Sequence, residues 1–411
     1  MIRVLATLLV TIAGCVPEQA TSSPTGVQSP TPTIAPPITA MPSAVGSSDP
    51  SKSPDPSGGI RANALGTLTG NWIFVGKQVP YPHNIWAEVQ IWAIPVDAGA
   101  PRLAFAYDVS LGGVPEAIFD NTPYLRRQFS PDGRRMVVSM GGQLMVVDIT
   151  SGQVRPLGVS GFFPAWSKDG SRIAFVFFLP AGGQVAVPEE AIGVVPAAGG
   201  PVREIARVGY SRQTVEWSPD GSMVIVAQAS GMALVDAGSG RLLRRLTGVA
   251  STGASFAHWR GGMPQIAAAT GGCDATQTTM VIGLDDPTAP ERTLLDTGQQ
   301  CPALTIQDPR WNPVIANELL YVATRANPGA MPNEYRVHLL DTRSGRDTTL
   351  GLSAYEATWT WDGAAIAYVA KSSTGFFGDS VRLWRRDGSG ERLLLTDPEN
   401  ASLFSIASLS Y

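Results

Sequence analysis

Cysteine and histidine are scarce, with three of each among 411 residues. Counts this low exclude a protein built around several zinc sites. Charge is sparse as well: charged residues make up 16%, with 30 Lys+Arg against 34 Asp+Glu. A mildly acidic chain carries no phosphate-binding footprint, so nucleic acid is excluded as a partner. The sequence holds no Gly-x-Ser-x-Gly nucleophile elbow. Its N-terminal apolar run, Val4 to Ile12, is nine residues long. A permanent membrane-spanning helix needs about 20. What the chain has in plenty is turn residues, Gly (44) and Pro (33), beside a hydrophobic share of 44%. Such a composition builds a core and many turns, and it excludes wholesale disorder.

The N-terminus reads as an address. Arg3 is a positive n-region, and Val4 to Ile12 is a signal-peptide h-region. Ile12-Ala13-Gly14-Cys15 resembles the bacterial lipobox. That resemblance implies cleavage after residue 14 and a lipid on Cys15, which would make the membrane a partner. Residues 16–60 then hold ten Pro, nine Ser and five Thr with no aromatic. They cannot bury enough apolar area to offset their ordering entropy. The expected organisation is a signal peptide over 1–14, a lipid-anchored, disordered Pro/Ser/Thr-rich tether over 15–62 and a folded part over 63–411.

One pattern recurs through the folded part: an aromatic residue, a polar tight turn, then an apolar strand. The fullest copies are Phe129-Ser-Pro-Asp-Gly, Trp166-Ser-Lys-Asp-Gly, Trp217-Ser-Pro-Asp-Gly and Trp359-Thr-Trp-Asp-Gly. Trp259 and Trp311 head decayed copies, and Trp72-Ile-Phe-Val75 keeps only a strand. The anchors at 129, 166, 217, 259, 311 and 359 lie 37 to 52 residues apart. This is the period of a four-stranded repeat. Each unit continues with an apolar strand ending near Asp148, Asp236 or Asp341, then a Ser-Gly turn and a further strand. Four short strands per unit make an antiparallel meander that cannot hide both faces alone. Packing the units around an axis hides them. The expected fold is therefore all-β: a seven-bladed β-propeller, with six or eight blades as the alternatives. The first unit lacks an inner strand, and the segment Leu403-Phe-Ser-Ile-Ala-Ser-Leu409 is expected to supply it and close the ring.

The aromatic-Ser-Pro-Asp-Gly repeat resembles the TolB-like, WD-type β-propellers of bacterial envelope proteins, over roughly residues 65–411. The resemblance implies the fold. It does not carry over partners, because this fold serves binding, scaffolding and unrelated enzymes.

The recurrence of Asp132, Asp169, Asp220 and Asp362 points to turn chemistry, since a reaction needs one asymmetric site. The repeated Trp residues are expected to be wedges between sheets. Cys273 and Cys301 are the only cysteines besides Cys15, and an exported setting favours a disulfide between them. His338 lies inside a strand pattern and is expected to pack there. Glu216, His258 and Arg310 each precede a ring Trp and are candidates for a polar channel mouth. The loops at 76–86, 179–189, 270–278, 325–334 and 371–379, and the links at 107–124 and 296–308, vary in length and should leave one face. Recognition is expected there. Its candidate contacts are Tyr81, His83, Trp86, Phe162, Phe163, Tyr210, Phe376 and Phe377, since aromatics dominate binding hot spots.

Three functions fit these residues. The first is a membrane-anchored, extracytoplasmic module that binds a protein, peptide or glycan without chemistry or cofactor. The second is an envelope hydrolase or lactonase holding a metal such as calcium at the channel mouth, with Glu216, Asp308 and Glu356 as the nearest ligands. The third is an oligomerising scaffold.

Overall fold

The computed structural model describes residues 59–410, except 82–85, 111–124, 180–188, 210, 229–230, 247–255, 261–264, 271–279, 297–303, 326–333, 373–377 and 398–402. The chain divides into Met1–Ile38 and Thr39–Tyr411. All that follows concerns the second unit.

The first sheet contains β1 (Arg61–Ala62), β2 (Asn71–Pro80), β3 (Trp86–Pro95) and β4 (Arg102–Ser110). A short helix, α1 (Leu125–Gln128), leads to β5 (Arg135–Met140), β6 (Gln143–Asp148) and β7 (Val154–Ser160). The third sheet is β8 (Phe162–Trp166), β9 (Arg172–Phe178), β10 (Glu190–Pro196) and β11 (Arg203–Gly209). The fourth is β12 (Ser211–Trp217), β13 (Met223–Gln228), β14 (Gly231–Asp236) and β15 (Leu242–Leu246). The fifth is β16 (Phe256–Trp259), β17 (Ile266–Thr270), β18 (Met280–Leu284) and β19 (Arg292–Asp296). The sixth is β20 (Leu304–Trp311), β21 (Glu318–Arg325), β22 (Glu334–Asp341) and β23 (Arg346–Thr349). The seventh group is β24 (Ala354–Trp359), β25 (Ala365–Lys371), β26 (Gly378–Arg385) and β27 (Glu391–Thr396), and β28 (Leu403–Ser410) follows it.

Within each group the strands pair antiparallel in chain order. The exceptions are β1, which pairs with β4, and β28, which leaves its sequence neighbours and pairs antiparallel with β2 from Asn71↔Ser410 to Lys77↔Leu403. One residue pair, Gly378↔Leu403, also ties β28 to β26, so nine strands are joined by hydrogen bonds into a single sheet.

Apolar side chains of the strands fill the spaces between sheets. Seven clusters do this, and each draws on two neighbouring groups of strands. Trp217, Val224 and Val235 of the fourth sheet pack on Ala174, Ile192 and Ile205 of the third. Equivalent clusters join first to second, second to third, fourth to fifth, fifth to sixth and sixth to seventh. The remaining cluster sets Val369, Val381 and Leu395 of the seventh group against Ile73, Val75, Trp92 and Ile406 beside β2 and β28. The aromatic wedges stand in these spaces: Trp166, Trp217, Trp259, Trp311 and Trp359 are all buried. A fully buried indole removes about 200 Å² from water, roughly 5 kcal/mol of gross transfer energy.

Three expectations need correction. The second sheet has three strands, not four: before β5 there is only the isolated bridge Phe129↔Met136, and α1 precedes it. Arg126 and Arg127 show why. Both ion-pair with Glu216, at 3.1 and 3.0 Å. Consecutive residues of a strand point to opposite faces, and a helical turn lets both reach one carboxylate. Next, the first sheet gains an outer strand, because Arg61 and Ala62 of the expected tether pair with Ala106 and Phe105. Last, several loops are shorter than expected: β2 runs to Pro80, β4 to Ser110, and β20 begins at Leu304.

Candidate functional site

The recurrent turns are built alike. In Ser-x-Asp-Gly, the Ser167 hydroxyl donates to Asp169 at 2.5 Å and accepts from the Arg172 N–H at 2.9 Å. Asp169 also accepts from the Ser171 N–H at 3.0 Å. Ser130 with Asp132, Ser218 with Asp220 and Thr360 with Asp362 repeat the device. Gly170 takes φ +71°, a left-handed value that glycine adopts at no steric cost. The third turn is fixed by another aspartate: Asp236 accepts from the N–H groups of Gly238 and Ser239, and Asp341 from those of Arg343 and Ser344. These carboxylates are spent on backbone, as their recurrence implied.

Antiparallel order places both kinds of turn at one end of the sheets. The second-to-third-strand connections and the links between sheets leave from the other end. The candidate contacts that are described lie at that second end. Tyr81 is buried there, its hydroxyl donating to Asp108 at 2.9 Å, and burial followed by Asp108 raises its pKa. Phe162 is half-buried on Phe178, ring centroids 5.3 Å apart. Phe163, also half-buried, holds φ +51° in a bulge between Phe162 and Ala165 and packs on the third-to-fourth cluster. Trp86 opens β3, its backbone paired with Ser110. His83, Tyr210, Phe376 and Phe377 lie outside the described residues, as do Cys15, Cys273 and Cys301.

Glu216, His258 and Arg310 lie at the opposite, short-turn end. Each occupies the position before the ring Trp, as the sequence indicates, and the structure brings them together. The first strands gather on one another: β12 touches β8 and β16, β16 touches β20, and α1 touches β8 and β28. The three side chains are buried, not solvated. Glu216 is held by Arg126 and Arg127, and it accepts from the Trp259 N–H at 3.4 Å. His258 Nδ1 accepts from the Trp311 N–H at 3.0 Å. That bond puts the ring proton on Nε2. Burial, followed by the charges of Arg126, Lys168, Arg310 and Arg127, holds the His258 pKa well below its ordinary value. The ring is therefore neutral. Arg310 donates to Glu356 at 2.6 Å and to the Ile406 carbonyl at 3.3 Å.

A cleft adjoins this layer, lined by Arg126, Arg127, Trp166, Lys168, Glu216 and Trp217 among others. Lys168 counts as exposed by surface area, yet protein crowds its ammonium. Both hold for a side chain standing in a cleft. Burial first, then Arg126, lowers its pKa to about 8, while Glu216 opposes the shift. Sequence reasoning missed Lys168, Arg126 and Arg127. The signal was present: Lys168 replaces the proline of the Ser-Pro-Asp-Gly copies, and Arg126-Arg127 stands just before a ring aromatic. As for a metal, Glu216 and Glu356 are already neutralised by arginines, and the Asp308 side chain is outside the described set. Among the described residues no three His, Cys, Asp or Glu side chains come together.

No protein-family model matches the chain, and no curated protein does. Solved structures do. TolB from Acinetobacter baumannii is 15% identical over 82% of this chain and 82% of its own, with a TM-score of 0.44. The β-propeller domain of the Trilobed protease from Pyrococcus furiosus is 11% identical over 79% of this chain and 84% of its own, with a TM-score of 0.42. Acylaminoacyl peptidase from Pyrococcus horikoshii is 12% identical over 82% of this chain but 53% of its own, with a TM-score of 0.50. Identities this low speak for fold alone. The chain is an all-β protein of antiparallel, mostly four-stranded sheets, similar in fold to solved TolB-like and other β-propeller proteins.

Proposed function

We propose that the chain is a seven-bladed propeller closed by β28, anchored to a membrane outside the cytoplasm, and that it binds a protein, peptide or glycan without catalysis. The ring reading draws on the pairing of β28 with β2 and on the apolar cluster between the seventh group and the first. The anchoring reading draws on the lipobox-like Ile12-Ala-Gly-Cys15 and the Pro/Ser/Thr-rich stretch behind it. A bridge between Cys273 and Cys301 belongs to the same exported setting.

One observation carries the binding role: the contrast between the two ends of the sheets. At one end every described Ser-x-Asp-Gly turn is locked by its own side chains. At the other, connections differ in length and carry aromatics. Variable loops on a rigid frame are where recognition resides. The pairing of Glu216 and Glu356 with arginines favours binding over a metal-dependent hydrolase.

The test is capture from envelope extract, repeated after Phe162, Phe163, Phe376 and Phe377 are replaced by Ser. Loss of the captured partner, with melting unchanged, supports this face. Equal capture by the variant rejects it.

A further inference from the structure

Four turns of the frame share one geometry, and one of them carries a side chain that the turn does not use. In each, a glycine N–H donates to the carbonyl three residues back: Gly133 to Ser130 at 2.8 Å, Gly170 to Ser167 at 2.9 Å, Gly221 to Ser218 at 3.0 Å and Gly363 to Thr360 at 2.9 Å. The residue after the Ser or Thr is the first central position of the turn, where proline is favoured. Pro131 and Pro219 stand there in two turns, Trp361 in another and Lys168 in the fourth. Ser167 and Asp169 already hold the Lys168 turn. The lysine itself makes no hydrogen bond, ion pair or ring contact among the described residues. Lysine is also rare here, with four against 26 arginines. Lys77 is buried in its ion pair with Asp397, Lys371 stands over the Tyr335 ring at 5.5 Å, and Lys52 lies outside the described residues. A guanidinium keeps its proton at every working pH, whereas a crowded ammonium can release it and become a nucleophile. Lys168 is crowded in that way. It lines the cleft with Phe129, Trp166 and Trp217, and the carboxylate there, Glu216, is held by Arg126 and Arg127.

We propose that Lys168 is a covalent capture site, whose amine condenses with an aldehyde carried on an aromatic or other apolar body. The amine nitrogen adds to the carbonyl carbon, and the resulting carbinolamine loses water. A C=N bond replaces the C=O bond, so no oxidant or reductant is needed. The cleft suits such a ligand: it is concave, and its walls include two indoles and a phenyl ring. A lysine at a proline-compatible position costs the turn little, so the side chain is free to serve the cleft. The site lies at the end of the sheets opposite the loop face, so it stands or falls separately from the loop-binding reading.

The experiment treats the full chain with benzaldehyde or propanal and cyanoborohydride, which reduces an imine to a stable amine, and reads each lysine by peptide mass spectrometry. N-acetyllysine amide in the same tube is the reference amine. At pH 8 benzaldehyde should label Lys168 about tenfold faster than the reference, because about half of the amine is unprotonated near its pKa of about 8. That rate should saturate with benzaldehyde, while propanal, which has no ring, should label Lys168 without saturation. Fluorodinitrobenzene reads the free amine directly. Its rate at Lys168 should rise about tenfold from pH 7 to pH 9 and then level, while the reference keeps climbing. Arg126, Arg127 and Glu216 face Lys168 and keep their charge over that range, and the His258 ring, which feels the lysine charge, is already neutral there. Lys168→Pro copies the sibling turns, so it should melt no lower than the native chain and lose the imine absorbance that benzaldehyde gives. The proposal is wrong if Lys168 labels no faster than the reference amine, if benzaldehyde fails to saturate, or if Lys168→Pro melts below the native chain.

Discussion

The ring of Phe404 lies against Gly76 so closely that a Cβ at that glycine would run into it. Phe404 belongs to β28 and Gly76 to β2, so the contact joins the two extremes of the folded chain. Lys77 adds a buried ion pair to Asp397 at 3.2 Å, just before β28. A chain ending at Asn400 would leave the inner edge of β2 unpaired, and exposed edges aggregate. We expect such a truncation to lose its cooperative melting transition and to self-associate, as seen by calorimetry and light scattering. Gly76→Val should destabilise the full chain by about 3 kcal/mol through overpacking. A truncated chain that stays monomeric with native melting would show that β28 closes nothing.

The outer rim carries a second recurrence. Near the start of the last strand of a sheet, an arginine donates to backbone carbonyls in the following sheet. Arg155 donates to Ala197 and Ala198, Arg203 to Ala237 and Gly238, and Arg244 to Pro287 and Ala289. Arg292 donates to Thr342 at 3.0 Å, and Arg392 of the seventh group reaches Asp97 of the first, also at 3.0 Å. These side chains are partly exposed, so each bond should contribute only about 1 kcal/mol. Arg292→Met and Arg392→Met should each lower urea stability by that amount. The sites are far apart in the chain and share no partner, so the double variant should show the sum. A double variant as stable as the native chain would reduce the latch to ornament.

The wedges differ in one bond. Trp217 Nε1 donates to the Ala165 carbonyl at 3.0 Å, while the buried Trp166 Nε1 has no acceptor among the described residues. Both indoles are otherwise alike: buried, and stacked under Arg172 at 4.7 Å and Arg135 at 5.0 Å. Replacing each by Phe removes similar volume. Only Trp217→Phe removes a hydrogen bond and strands a carbonyl. It should cost about 1 kcal/mol more than Trp166→Phe by chemical denaturation.

Much of this frame was legible because it repeats. Aromatic, turn and apolar strand recur, so each unit checks the others, and His338 does pack in its strand, stacked on Tyr321 at 4.9 Å. What escaped was local and unrepeated. A single helical turn replaces a strand at Leu125–Gln128 because two adjacent arginines serve one distant carboxylate. No periodicity encodes that, since Glu216 lies 89 residues from Arg127. The inner polar layer could be located by its place before each Trp, but its burial depended on partners that only the packing of sheets supplies. The rim arginines repeat, yet their acceptors are backbone atoms, which a sequence does not display.

Stability should fall with pH in two stages, for two separable reasons. His258 has a folded pKa below its unfolded value near 6.5. The unfolded chain therefore binds a proton first, and the stability that this neutral ring contributes is complete above about 6.5 and lost as pH falls. The turn carboxylates act lower. Ser167, then Ser171, holds the Asp169 pKa at about 2, and Asp236, Asp286, Asp341 and Asp387 are lowered mainly by bonds from their own turns. Their contribution is complete above about pH 4 and fades toward pH 2. Melting temperature followed from pH 8 to pH 2 should show a shallow decline beginning near 6.5 and a steeper one below about 4. His258→Asn keeps an acceptor for the Trp311 N–H without a titrating ring, so it should erase the first stage and leave the second. Asp169→Asn should leave the first and flatten part of the second. If His258→Asn follows the native curve between pH 6.5 and 5, the neutral buried imidazole is not what carries that stage.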